Sequence, residues 1–180
     1  MWDLYTERAR KAIYYAQEEA KALGDNWLSG EHLLLGLLRE DDNCAALLLK
    51  GVGCDTQQLC LNLKKKLRPR IFRRKENLTF NVQGKLVIQM AYEEAKRLGC
   101  NFIGPEHLLI GVARLGGGLA NKALRSAGVR LEDIRILVLQ MQESAHGIWP
   151  PAPKMDASVR ENEPGHRACN SDFGDSAPAE

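Results

Sequence analysis

Aromatic side chains are scarce in this chain. They make up 6% of its 180 residues, so aliphatic packing has to supply most of any core. Charge of one sign is scarce too: 25 basic residues face 23 acidic ones, for a formal net charge of +2. Affinity for a phosphate backbone needs a net or clustered positive field, so no nucleic acid partner is expected. The cysteines, Cys44, Cys54, Cys60, Cys100 and Cys169, form no C-x-x-C pair. That excludes zinc knuckles and thioredoxin-type motifs, and the thiols read as those of a reducing compartment. No metal and no cofactor is expected. No apolar run approaches the ~18 residues of a membrane span. The charged N-terminus MWDLYTERARK also lacks the apolar stretch of a signal peptide. The expected location is cytoplasmic, with no membrane partner. A G-x-x-x-x-G-K-[ST] phosphate cradle is missing as well. Period-two alternation of useful length is absent, so strands are not required.

What the chain has is a copy of itself. The stretch AQEEAKALGDNWLSGEHLLLG from Ala16 returns 75 positions later as AYEEAKRLGCNFIGPEHLLIG from Ala91. Glu18 maps to Glu93, Glu19 to Glu94, Gly24 to Gly99, Glu31 to Glu106 and His32 to His107, and the register holds without a gap to Gly53 and Gly128. One structural unit made twice places anything special in it twice.

Each unit reads as four helices. Ala9, Ala12, Ile13, Ala16, Ala20 and Leu23 form one apolar stripe over 6–23. Thr6 is placed to cap its start and Gly24 to close its end. Further helices are expected from near Ser29, around 45–49 and over 56–67, then over 81–98, 105–115, 118–127 and 131–143. Pro105 suits the first helical position, where its missing N–H would have no partner anyway. The expected organisation is a first repeat over 1–67, a basic linker over 68–77, a second repeat over 78–144 and a tail over 145–180. The tail is rich in proline and polar residues and is expected to be disordered.

The motifs TERARKAIYYAQEEAKALG, SGEHLLLGLL, AYEEAKRLG and GPEHLLIGVA resemble the Clp repeat. Two such repeats make the amino-terminal domain of ClpC-type AAA+ unfoldases, and the resemblance covers nearly all of residues 1–143. It implies an all-α fold of two tandem four-helix repeats with pseudo-twofold symmetry. It also implies a non-enzymatic, protein-binding role in Clp-dependent proteolysis. The implied partners are a ClpC-type unfoldase, the Clp peptidase, and adaptor or substrate proteins. With no phosphate cradle, the chain resembles the small stand-alone relatives of Clp systems. The alternatives are a decoy that sequesters damaged or phosphoarginine-marked proteins, or the front part of a ClpC-type ATPase.

Two sets of candidate residues follow. Glu31-His32 and Glu106-His107 are no catalytic dyad, because neighbours on a helix point about 100° apart and no nucleophile or H-E-x-x-H pattern accompanies them. They read first as helix-start elements, with the glutamate at the positive dipole end and the histidine bonded locally. In ClpC domains the matching glutamates line pockets for phosphorylated arginine, which makes Glu31, Glu106 and Ser29 candidate phosphoarginine or substrate contacts. A carboxylate would grip the guanidinium while helix N-terminal amides hold the phosphate. The family pattern G-T-E-H is replaced here by Ser29-Gly30 and Gly104-Pro105. The second site therefore loses a hydroxyl and an amide donor. The other set is Trp2, Arg10, Tyr14, Gln17, Phe80, Lys85 and Gln89, expected to flank a partner-binding groove between the repeats. The same aromatics also serve to staple their helices. A basic run, Lys64 to Lys75, could contact an acidic partner or a nucleic acid. It reads instead as a solvated linker, since no aromatics interleave it.

Overall fold

Residues 2–69 and 78–144 are described in this computed structural model. The expected tail and most of the expected linker lie outside the described residues. Among the described residues eight helices form: α1 (Glu7–Ala22), α2 (Gly30–Leu38), α3 (Cys44–Gly51), α4 (Thr56–Lys66), α5 (Val82–Arg97), α6 (Pro105–Arg114), α7 (Gly118–Ser126) and α8 (Leu131–Ser144). A short 3-10 turn, Trp2–Leu4, precedes them.

Local chemistry sets most of the helix ends. The Thr6 hydroxyl accepts from the Ala9 N–H (3.2 Å) and starts α1. Asp55 does the same for α4 and Asn81 for α5, through the N–H groups of Gln58 and Gly84. Helix α1 closes on Gly24 and α5 on Gly99, with φ of 72° and 71°. That left-handed backbone costs glycine nothing. The next N–H then turns back to the helix, Asp25 to the Ala20 carbonyl (2.9 Å) and Cys100 to that of Ala95 (2.8 Å).

Helix α2 is buried along its whole length, and α6 from Pro105 through Val112. These two form the middle of the molecule and pack on each other. Helices α1 and α5 each lie over both of them. The closest approaches are made at glycine: a Cβ on Gly36 would collide with the Ala12 carbonyl, and one on Gly111 would come within 2.5 Å of the Val87 carbonyl.

The repeats are interlocked. Helix α3 packs on α6 and α8 of the other repeat, and its mate α7 packs on α2 and α4. The backbone repeats this exchange in two short parallel pairs that the sequence pattern does not require. Strand β1 (Trp27–Leu28) pairs with β2 (Thr79–Phe80), with Leu28 opposite Phe80. A single bridge joins Tyr5 to Ile103. Tyr5 and Phe80 are repeat mates, as are Leu28 and Ile103, so each repeat's lead-in segment is held by the other repeat's loop. The Ile103 N–H donates to the Leu4 carbonyl (2.7 Å) and the Asn81 N–H to that of Leu28 (2.9 Å). Two-residue pairings carry no periodicity to read, and their partners are far apart in sequence.

Candidate functional site

The Glu-His elements sit at the starts of α2 and α6. Glycine or proline takes the first helical position, the glutamate the second and the histidine the third. Both histidines are buried, and each turns Nδ1 back onto the chain. His32 accepts from the Ser29 N–H (3.2 Å) and His107 from the Gly104 N–H (2.9 Å). A histidine thus fills the part that glutamate or glutamine plays in a capping box. The other ring nitrogens differ. Neither Nε2 makes a hydrogen bond among the described residues, but His32 Nε2 lies 3.3 Å from the Asp25 carboxylate, whereas no carboxylate pairs with His107 Nε2 among the described residues. Burial lowers both histidine pKa values, with carboxylates pulling back: Asp25 first for His32, Glu106 first for His107.

The glutamates differ more. Glu31 reaches across the molecule and accepts from the Leu119 N–H of α7 (2.8 Å). Burial opposes its ionisation. The Ser29 hydroxyl, its own amide and those of Leu119 and Ala120 outweigh burial and hold the carboxyl below the usual range. Glu106 instead lies back over Gly104, with Oε1 3.1 Å from His107 Nδ1. It also faces Cys44, the residue equivalent to Leu119. Burial, then the charge and hydrogen bond of Glu106, push the Cys44 thiol up to about 12.

The loops before α3 and α7 explain the difference. Asn43 caps α3 from its own repeat, accepting from the Ala46 N–H (2.9 Å) and donating to the Leu37 carbonyl (2.6 Å). Its counterpart, Gly118, has no side chain to cap with, and α7 carries no side-chain cap of its own. The Glu31 carboxylate supplies one from the other repeat, so close that a Cβ on Gly118 would meet Oε1 at 3.0 Å.

The second candidate set is spread over two equivalent places. Trp2 is half-exposed, with its ring 5.8 Å from that of Tyr5. It thereby joins the bridge to Ile103, while Phe80 joins Leu28 in the other parallel pair. Arg10 and Tyr14 are exposed on α1 and Gln17 is half-buried; Lys85 and Gln89 are exposed on α5. Gln89 bonds Glu93 (3.2 Å). Among the described residues no hydrogen bond, ion pair or ring contact joins the α1 group to the α5 group. Two exposed aromatics escaped the sequence reading: Trp27 in β1 and its repeat mate Phe102, each beside one parallel pair. The 75-residue register was the signal that relates them.

Buried charge was missed as well. Glu94 is 2% exposed and takes Arg135 (2.5 Å), Arg97 (3.0 Å) and Arg114 (3.3 Å). Burial opposes its ionisation, but the Arg135 and Arg97 guanidiniums outweigh it and lower its pKa. Its mate Glu19 has Lys64 (2.9 Å) and, more distantly, Arg39 (3.9 Å). No group of three or more metal-binding side chains is assembled among the described residues, nor any helix long and apolar enough to cross a membrane.

Comparison with known proteins places this geometry. The chain is 38% identical over 144 residues to the negative regulator of genetic competence ClpC/MecB of Bacillus subtilis (strain 168), covering 78% of this chain and 17% of that protein. It is 37% identical over 149 residues to the chloroplastic chaperone protein ClpC of Pisum sativum, covering 82% of this chain and 16% of that one. It therefore spans only a small front share of such relatives. Among solved structures, the N-terminal domain of the caseinolytic protease associated chaperone ClpD from Arabidopsis thaliana superposes with a TM-score of 0.63 at 26% identity, covering 79% of this chain and 97% of that one. The N-domain of ClpV from Vibrio cholerae, at 14% identity and a TM-score of 0.60 over 78% and 86% of the two chains, shares the fold. The model of the Clp repeat (R) N-terminal domain matches residues 4–70 and 77–160, and the chain belongs to that family.

Proposed function

We propose that this chain is a non-enzymatic protein-recognition module of Clp-dependent proteolysis. It binds substrate or adaptor proteins and works with a ClpC-type unfoldase and its peptidase. The observation that carries this reading is a Clp repeat domain whose exposed aromatics sit beside both inter-repeat strand pairings: Trp2 and Phe102 at one, Trp27 at the other. Exposed aromatics suit a protein-contact hot spot, and Arg10 and Lys85, exposed on α1 and α5, have no ion pair among the described residues. The test is capture of partners from the source cell followed by titration with Trp2→Ala and Trp27→Ala variants. Each is expected to weaken binding by about 2 kcal/mol if it is a hot spot, with helicity unchanged. Undiminished binding in both would move the contact elsewhere. Co-purification of an unfoldase or peptidase supports delivery; capture of damaged proteins alone supports a decoy.

A second reading rests on the ionised Glu31 carboxylate beside the α7 amides. Phosphoarginine would bind there with its guanidinium on Glu31 and its phosphate at the helix N-terminal amides, displacing Glu31 from the Leu119 N–H that it now accepts. Glu106, beside Pro105 and without a hydroxyl at Gly104, offers a poorer copy. Titration with phosphoarginine is expected to show a larger loss in Glu31→Ala than in Glu106→Ala. Equal losses, or none, count against it.

A further inference from the structure

The two equivalent seams between a fourth helix and the other repeat's third helix have diverged in charge. Helix α4 holds Lys64, Lys65 and Lys66 and α7 holds Lys122 and Arg125, and neither helix contains an acidic residue. Lys64 is tied to Glu19. Lys65, Lys66, Lys122 and Arg125 have no ion pair among the described residues. At the other seam the positions of Lys64, Lys65, Lys66 and Lys122 are Leu139, Gln140, Met141 and Leu47. There, Lys50, the mate of Arg125, pairs with Asp41 (3.4 Å). Packing is common to both seams and the free positive charge is confined to one, so helix–helix packing does not account for it.

The basic seam also has a cavity of about 410 Å³, to which both repeats contribute. Leu59, Ala123 and Ala127 give it apolar lining, and Gln58, Asn62, Lys65 and Lys66 line it as well. The nearest carboxylate, Asp55, is occupied in capping α4 at the Gln58 N–H (2.9 Å). These lysines belong to a helix packed on the opposite repeat, not to a free linker, so their charge is presented at a fixed place.

We propose that the α4–α7 seam is a binding site for an acidic polypeptide segment that also carries an apolar side chain. The carboxylates meet the lysines and the apolar group meets the apolar lining. No aromatic side chain lines the cavity to stack a base. This site is separate from the surface around Trp2 and Trp27, and either reading can fail alone.

Fluorescence anisotropy on the full chain tests it, with a labelled short peptide of alternating glutamate and leucine as the probe. A lysine–leucine peptide and an oligothymidylate of equal length are the comparisons. The acidic peptide is expected to bind and to weaken as salt rises. Lys65→Glu combined with Lys66→Glu is expected to lower its affinity at least about tenfold, since two ion pairs become repulsions. Ala127→Glu, across the seam on the α7 side, is expected to lower it about threefold. Gln140→Glu with Met141→Glu, at the equivalent positions of α8, is expected to leave it unchanged. Failure of the acidic peptide to bind the wild-type chain would overturn the proposal. So would an unchanged affinity in the folded double-lysine variant, or an equal loss from the α8 variant. Tighter binding of oligothymidylate than of the peptide would assign the site to nucleic acid instead.

Discussion

Helices α3 and α7 are repeat mates, yet they begin in different ways. Asn43 starts α3 from within its own repeat, whereas α7 begins on the last of three glycines and takes its cap from Glu31 of the other repeat. The same exchange of duties continues one turn later. In the first repeat, Asn43 also ties down the end of α2 through the Leu37 carbonyl; in the second, Asn121 ties down the end of α6 through that of Ala113 (2.6 Å). Duplication has kept the packing and let the polar groups trade places. Apolar contacts depend on shape shared by both halves, while an unmet helix N–H can be met by any acceptor within reach.

The largest effects should fall where the repeats are alike. Gly36→Ala and Gly111→Ala each drive a methyl into a backbone carbonyl of the helix lying across them. Each is expected to cost about 3 kcal/mol in denaturant unfolding, at the upper end for overpacking. The two losses should match. A large mismatch would show that the central helix pairs are less equivalent than their sequences.

Next come the buried glutamates, where the repeats part. Glu94→Ala leaves three arginines around an empty place and is expected to cost about 2 kcal/mol. Glu19→Ala removes contacts from a carboxylate that is itself 14% exposed, against 2% for Glu94, and should cost under about 1 kcal/mol. The Glu94 pKa is lowered in the folded state, so its contribution is present above the unfolded value near 4.5 and is lost as pH falls through the folded one. Thermal unfolding followed down through that range should show a shallower acid loss in Glu94→Ala than in the wild type.

Much of this was legible in the sequence. Thr6, Ser29, Gly24 and Gly99 mark helix ends that the structure places within a residue or two, because caps are local chemistry. The 75-residue register located the Glu-His elements at equivalent helix starts. The interlocking was not legible: nothing in α3 says whether α2 or α6 will receive its apolar face, since both faces offer leucine. Trp2 and Phe80 both precede a helix without being repeat mates; the mate of Phe80 is Tyr5, which is buried. The Glu94 cage draws on Arg97, Arg114 and Arg135 from three helices, and spacing along a chain cannot show that convergence.

Cap exchange gives effects of about 1 kcal/mol. Asn43→Ala should destabilise by that much or somewhat more, since it also leaves two carbonyls unmet. Glu31→Ala should cost about as much through α7, although it lies in the other repeat. Glu106→Ala should cost less, because Asn43 already caps α3. Hydrogen exchange at Leu119 and Ala120 reads this directly. Faster exchange there in Glu31→Ala, with no change at the start of α3, is the expected pattern. A uniform rise would mean that Glu31 matters only to global stability.

The smallest effect offers the sharpest comparison. Asp25 and Cys100 are repeat mates, set by the same glycine turn and the same N–H bond back to their helices. Asp25 stands beside His32 Nε2, and the equivalent nitrogen of His107 has no acceptor among the described residues. Cys100→Asp should therefore supply the missing carboxylate. Burial holds the His107 pKa below 6.5 in the folded state. Its neutral form is thus favoured, and the associated stability is complete above that pH and declines as pH falls. A neighbouring carboxylate stabilises the imidazolium, so the His107 pKa should rise and the decline below about pH 6.5 should soften. The gain in stability should stay under about 1 kcal/mol, because the new charge also faces Glu106, which already acts on the Cys100 thiol. Nuclear magnetic resonance titration of the two histidines separates the outcomes. A His107 pKa that rises in Cys100→Asp assigns control of this imidazole to residue 100, whereas an unmoved value assigns it to the Glu106 carboxylate lying 3.1 Å from Nδ1.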